Sequence, residues 1–246
     1  IKPFYIVILA SLLNFQKYNL YFKYFLSLLL VVPIVLLLIS QPDLGQSMLI
    51  ILTWLALIFI SGINLVIFFG LFGFFITIIF YLIFFVDKFN YIKIRITSFL
   101  DSSSNSYSQA EKASEAIISG GFFGKGIGEG TLNSKIPEAH TDFIISVISE
   151  EFGIIIILLI MWAFIFSAYN VFKKIRDTND NVFKMILTGL MSSLLLQAFV
   201  HVGVNLRVLP TTGMTLPFLS YGGSSIISIS IISGIILNLT KRRVTN

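Results

Sequence analysis

Ile63-Asn64-Leu65-Val66-Ile67-Phe68-Phe69-Gly70-Leu71-Phe72-Gly73-Phe74-Phe75-Ile76-Thr77-Ile78-Ile79-Phe80-Tyr81-Leu82-Ile83-Phe84-Phe85-Val86 runs without a single Asp, Glu, Lys or Arg. A bilayer is crossed by ~20 consecutive apolar residues, so this block is long enough to span one as a helix. Similar blocks occupy approximately 3–15, 24–40, 47–61, 143–172, 183–206 and 222–240, making about seven spans. The blocks at 47–61 and 63–86 are separated only by Ser61-Gly62, a tight helical hairpin. Pro33 inside the second block is expected to kink it, which membrane helices tolerate when neighbours take up the freed carbonyl. Composition agrees. The chain is 56% hydrophobic and 12% charged, with a mean hydropathy of +0.93, whereas soluble domains carry about 25% charged residues. The fold class is therefore all-α, a polytopic membrane helical bundle. With no cysteine, disulfides and thiolate metal sites are excluded. Two histidines, His140 and His201, are too few for a His-rich metal site, and no basic stripe with interleaved aromatics supports nucleic-acid binding.

Orientation is read from Lys and Arg in short loops. Lys17 and Lys23 flank one loop, Lys173, Lys174, Arg176 and Lys184 another, and Lys241-Arg242-Arg243 form the tail. An alternating topology places all three on one side, the cytoplasm, so the C-terminus is cytoplasmic. The opposite side receives Gln41–Gln46, a long extracytoplasmic loop at 87–142, and the stretch around Leu209–Pro217. The first span then starts outside, and neither an initiator Met nor a charged n-region precedes it. The expectation is that an odd number of helices lies upstream of Ile1 in a truncated chain.

Three segments at the outer side are unusual. In Gln41-Pro42-Asp43-Leu44-Gly45-Gln46-Ser47, Pro42 and Gly45 stop and restart a helix and Asp43 is placed to cap it. The second lies in the long loop. Ser119-Gly120-Gly121-Phe122-Phe123-Gly124-Lys125-Gly126-Ile127-Gly128-Glu129-Gly130 is dense in glycine around a lysine, which suits either a flexible surface loop or a backbone nest for phosphate oxygens. The same loop ends in Ile136-Pro137-Glu138-Ala139-His140-Thr141-Asp142-Phe143, which crowds ionisable side chains at a helix mouth. Thr141 or Asp142 can cap that helix, or Asp142 can be an active-site carboxylate positioned by His140 and Thr141; the two are compatible. Glu150 and Glu151 follow in the same span. Glu150 falls roughly 12 Å below Asp142 and about 80° from it on a regular helix, so with Ser146 it can share a cavity with Asp142. Glu151 takes the opposite face and can pair with Arg207. Carboxylates at that depth face polar cavities or partners. The third segment, Asn205 to Ser225, interrupts an apolar region with Pro210, Gly213, Pro217, Gly222 and Gly223. Irregular backbone at membrane depth persists only where protein or a water-filled cavity satisfies it. A broken, re-entrant element fits, and close packing of small residues is the alternative for Gly222-Gly223-Ser224-Ser225.

In this order, these segments resemble the SEDS family, whose members include FtsW, RodA and SpoVE. Gln41–Gly45 is similar to its Gln-Pro-Asp-Leu-Gly motif, and Ser119–Gly128 to its Ser-Gly-Gly-x-x-Gly-Lys-Gly-x-Gly loop. Pro137–Phe143 resembles its Pro-Glu-Ala-His-Thr-Asp-Phe signature, and Pro210–Ser225 its Pro-x-Thr-Gly-Met-x-Leu-Pro-Phe-x-Ser-Tyr-Gly-Gly-Ser-Ser signature. Lys2 looks like the lysine that follows a Pro-Ser-Glu motif in these proteins. Arg207 before Leu209–Thr215, together with Glu150-Glu151-Phe152-Gly153, resembles FtsW more than RodA. Ser102 departs from the family, which usually has proline after Phe-Leu-Asp.

The resemblance covers essentially the whole chain and implies a single transmembrane domain over 1–246, part of a ten-span fold. It also implies a peptidoglycan glycosyltransferase that polymerises lipid II into glycan strands, with inversion, at the outer face of the inner membrane during septum formation. Asp142 would be the general base. A lone carboxylate with an activated leaving group suits inverting transfer better than the carboxylate pair of glycoside hydrolysis. Lys2, Lys125, His140, Thr141, Glu150, Arg207, Thr212, Ser220 and Ser224 would bind substrate. Cationic help for the pyrophosphate, from these residues or from a divalent cation (Mg2+ or Mn2+), is expected. Lipid II, a class B penicillin-binding transpeptidase and other divisome membrane proteins would be partners. A lipid II flippase or carrier, a RodA-like polymerase of elongation and a non-catalytic scaffold are the alternatives.

Overall fold

The computed structural model describes residues 2–86, 89–100, 109–132 and 136–241. Among these, every regular element is helical: α1 (Lys2–Leu13), α2 (Leu20–Ser40), α3 (Leu44–Ile60), α4 (Leu65–Phe85), α5 (Asn90–Leu100), α6 (Gln109–Gly120), α7 (Ile144–Phe152), α8 (Ile154–Arg176), α9 (Asn181–Asn205) and α10 (Gly223–Thr240). In hydrocarbon every backbone polar group must be bonded within its own segment, and a helix does this for long apolar runs. α2, α8, α9 and α10 are long and apolar enough to cross a membrane, and α1, α3 and the Leu65–Ile78 part of α4 are shorter apolar helices. These correspond to the seven apolar blocks of the sequence. The protein is a multi-pass membrane protein.

Two compact units are formed. One comprises 1–80, 166–196 and 224–246, the other 81–165 and 197–223. In the first, α2 and α3 pack together and both meet α1. Trp54 of α3 is fully buried and donates its indole N–H to the Ser27 hydroxyl of α2 (3.1 Å), while Ser27 donates to the Tyr24 carbonyl (2.7 Å). The polar atoms of this core are thus satisfied, as burial requires. Phe75 meets the Trp54 ring edge-on, with centroids 5.2 Å apart. Asp43 caps α3 as expected, accepting from the Gln46 N–H (3.0 Å), and Ser47 donates back to its carbonyl. α2 continues through Pro33. Lys2 opens α1 within the field of the Asp43 carboxylate, and Ser224 lies exposed in the first turn of α10; both belong to this unit. Of the basic tail, Arg242 and Arg243 lie outside the described residues.

In the second unit, α6 packs on α7. Ala110, Ala113, Ala116, Ile117 and Gly120 form its buried stripe, at the spacing of one helix face. The expected loop at 87–142 therefore carries two helices, α5 and α6, with Asp101 and Ser102 between them outside the described residues. A second difference concerns 143–172, read as one span. It is two helices, broken at Gly153, whose φ of +82° no helix contains. From Leu206 to Gly222 no regular helix forms, in keeping with a broken element.

Candidate active site

The site is built around three consecutive carbonyls. The His140 carbonyl accepts from the Tyr221 N–H (3.0 Å), that of Thr141 from the Ser220 hydroxyl (2.7 Å), and that of Asp142 from the Asn205 amide (3.2 Å). Ser220 in turn accepts from the Leu216 N–H (2.8 Å). Within the loop, the N–H groups of Thr141 and Asp142 both bond to the Glu138 carbonyl (3.0 and 3.1 Å), with Glu138 itself at a φ of +57°. The backbone carrying Asp142 is therefore held from within and by the irregular segment after α9. α7 starts at Ile144, with Phe143 at its N-cap position and no side-chain cap. Phe143, rather than the expected Thr141 or Asp142, takes the N-cap position: the turn at 138–142 uses their backbone N–H groups, and the Thr141 hydroxyl bonds to the Glu138 carbonyl (3.0 Å).

A polar stripe on α9 supports the arrangement. Gln197 donates to the Thr215 carbonyl (2.8 Å), the His201 Nδ1 lies 2.6 Å from the Met214 carbonyl oxygen, and Asn205 bonds to its own helix at His201 as well as to Asp142. At i, i+4 and i+8 these side chains share one face.

Among the described residues, two cavities have Asp142 on their walls. The larger, about 710 Å³, is lined among others by Glu138, His140, Thr141, Thr215 and Tyr221. The smaller, about 150 Å³, has Arg95 and Thr212 on its wall. Glu138, Asp142 and Gly213 line both. Gly213 stands so close that a β-carbon there would touch Asp142 Oδ2 at 3.6 Å.

Glu150 is elsewhere. It is fully buried, and its Oε1 accepts from Lys125 Nζ (2.9 Å), the Thr131 N–H (2.9 Å) and the Leu132 N–H (3.0 Å). Lys125 and Gly126 give their backbone N–H groups to the carbonyls of Glu150 (2.9 Å) and Glu151 (3.1 Å), and Gly121 accepts from Ile154 N–H (3.0 Å). The glycine-rich run is thus a strap bound to the end of α7. Two of the N–H groups a phosphate nest would need are already bonded to protein.

A family model described as "Cell cycle protein", covering FtsW, RodA and SpoVE, matches residues 1–245. The chain belongs to this FtsW/RodA/SpoVE family. It is 36% identical to a protein of Caulobacter vibrioides over 85% of this chain and 53% of that one, and 35% identical to one of Nitrosomonas europaea over 92% and 61%. A Francisella salina relative is 37% identical over 84% and 52%. All three are named "Probable peptidoglycan glycosyltransferase FtsW". The chain spans about half the length of these relatives. Among solved structures, it superposes on a chain from work on the structural coordination of polymerization and crosslinking by a peptidoglycan synthase complex, with a TM-score of 0.77 at 24% identity over 98% of this chain and 68% of that one. A mutant of the rod-shape-determining protein RodA of Thermus thermophilus gives 0.65 at 24% over 100% and 65%. At that identity these two likenesses show the fold.

For this family member, the structure brings His140, Thr141, Thr212 and Ser220 together with Asp142. Arg207 pairs with Glu111 (3.1 Å), not with Glu151, because the chain turns after α9 through a φ of +56° at Arg207. Glu150, Lys125 and Ser146 do not line either cavity; the Ser146 hydroxyl bonds to the Phe143 carbonyl (2.6 Å). Arg95, Gln197 and Asn205 were not anticipated. Gln197, His201 and Asn205 had a signal, polar residues recurring on one face of an apolar span. Arg95 had only its charge, in a loop whose helices were not foreseen.

Proposed function

We propose that the protein is a peptidoglycan glycosyltransferase of the division type, polymerising lipid II at the outer face of the inner membrane by an inverting transfer. The observation that carries this reading is the Asp142 carboxylate on the wall of a cavity of about 710 Å³, on a backbone held at three successive carbonyls. The names of the relatives support the reaction class. Asp142 takes the proton from the 4-hydroxyl of the acceptor sugar as that oxygen attacks C1 of the lipid-linked strand. The undecaprenyl pyrophosphate leaves. Holding the carbonyls of residues 140–142 fixes where the base stands relative to the acceptor, which is the positional part of general-base catalysis. His140, Thr141 and Tyr221 offer polar contacts to sugar hydroxyls from the same wall.

The metal expectation finds no protein cage: among the described residues no group of three or more His, Asp or Glu side chains can hold an ion. The loop 87–142 would lie outside and the C-terminus inside. A class B penicillin-binding transpeptidase would be the partner, as the complex structure's crosslinking theme suggests.

The test is full-length protein in proteoliposomes with fluorescent lipid II. Wild type should form glycan chains, and Asp142→Asn should lose about 10²–10⁴-fold in rate. Polymerisation by Asp142→Asn at the wild-type rate removes Asp142 as base. Transbilayer movement of lipid II without chain growth would favour the carrier.

A further inference from the structure

Arg95 stands on α5 and lines the small cavity beside Asp142 together with Thr212. Its Nη1 donates one hydrogen bond, to the Thr211 carbonyl at 3.3 Å. Arg95 belongs to neither of the ion pairs Lys125–Glu150 and Arg207–Glu111, and it shares the small cavity with the side chains of Glu138 and Asp142. Thr212 is 7% exposed, and its Oγ1 is buried with no hydrogen-bond partner. A buried hydroxyl without a partner is costly and marks a place for a ligand or water. A guanidinium offers five donors in a fork that matches phosphate. At about 150 Å³ against about 710 Å³ for its neighbour, the cavity suits a compact anion rather than a sugar.

We propose that Arg95 and Thr212 form a subsite for a phosphate group of the lipid-linked pyrophosphate that leaves as the glycosidic bond forms. The proposal rests on the reading of Asp142 as base. In the transfer the acceptor oxygen bonds to C1, its proton passes to the Asp142 carboxylate, and the C1–O bond to phosphate breaks with both electrons going to the phosphate oxygen. Negative charge grows on that oxygen in the transition state, and a fixed cation beside it lowers the barrier. The base and the cation then line one small cavity, with the acceptor's side on the larger one. Lys125 and Arg207, the cations the glycine-rich run and the turn after α9 offer, are held by Glu150 and Glu111.

The experiment uses full-length protein with fluorescent lipid II, and undecaprenyl pyrophosphate or inorganic pyrophosphate as competitor. Arg95→Gln should cut turnover about a hundredfold and abolish inhibition by undecaprenyl pyrophosphate, with Arg95→Lys recovering part of both. Thr212→Val should weaken the inhibitor on the order of tenfold. Asp142→Asn should lose turnover but keep inhibitor binding, measured by protection of the protein against thermal unfolding. Competition by inorganic pyrophosphate as well would show that the site reads the phosphate alone; competition by the lipid form only would show that it reads the phosphate in its lipid setting. Should Arg95→Gln fail to fold, Arg95→Lys and Thr212→Val carry the same comparison. Unchanged inhibition and turnover in these variants overturns the proposal while leaving the polymerase reading intact. A wild type that makes no glycan overturns that reading instead.

Discussion

Glu150 shows how one side chain decides what its neighbours can do. A buried carboxylate is tolerable only when its lone pairs are met, and here two backbone N–H groups and the Lys125 ammonium meet one oxygen. The sequence-based expectation put Glu150 in a cavity with Asp142 by counting helix turns from residue 142. The count fails because the regular helix begins only at Ile144, so the wheel does not extend to Asp142. Glu150→Gln keeps an acceptor for the Thr131 and Leu132 N–H groups but loses the ion pair, whose lysine side chain is 33% exposed and can turn to water. A loss of about 1–3 kcal/mol of stability is expected, seen as a lower unfolding temperature. Turnover per folded molecule should fall less than tenfold. Loss of turnover at unchanged unfolding temperature would instead put Glu150 in the substrate site.

At the scale of elements, the junction of the glycine-rich strap with the α7–α8 break is an interlock of backbones. A β-carbon on Gly124 would collide with the Glu151 carbonyl, and one on Gly153 with the Phe122 carbonyl; both sit at positive φ, +78° and +82°. Side chains other than hydrogen are excluded twice, by space and by conformation. Gly124→Ala and Gly153→Ala should each lower the unfolding temperature well beyond Gly128→Ala. Gly128 has a similar φ of +77° with open space around it, so it registers the conformational cost alone, roughly 1 kcal/mol. Equal effects of all three would mean that the close approach is not formed. This interlock was not legible in the sequence, because a glycine run written for close backbone approach reads the same as one written for a phosphate nest. The break at Gly153 was hidden for a related reason: apolar residues continue across it, and hydropathy does not register a turn. The polar cluster that joins the segments around Asp142 and Ser220 was foreshadowed by prolines, glycines and hydroxyls inside an apolar region, where irregular backbone needs partners.

Over the whole molecule, the seven apolar helices were legible because bilayer thickness sets a length that composition alone can meet. Their outward surfaces are apolar too: Phe25, Leu37, Phe69, Leu158, Trp162 and Ile227 are all well exposed, as suits residues facing lipid rather than water. What apolar length cannot give is sidedness, which rests on Lys and Arg in short loops. That assignment can be checked by single-cysteine labelling, since residues 1–246 contain no cysteine and any cysteine elsewhere in the protein can first be replaced by serine. Glu129→Cys, exposed in the strap, and Asn179→Cys, exposed in the turn between α8 and α9, each introduce one thiol on opposite sides of the proposed topology. A membrane-impermeant maleimide added to intact spheroplasts should label Glu129→Cys at once and Asn179→Cys only after permeabilisation. The reverse pattern would place the Asp142 cavity on the cytoplasmic face, where a transferase extending an external glycan has no acceptor, and would overturn the proposed function along with the topology.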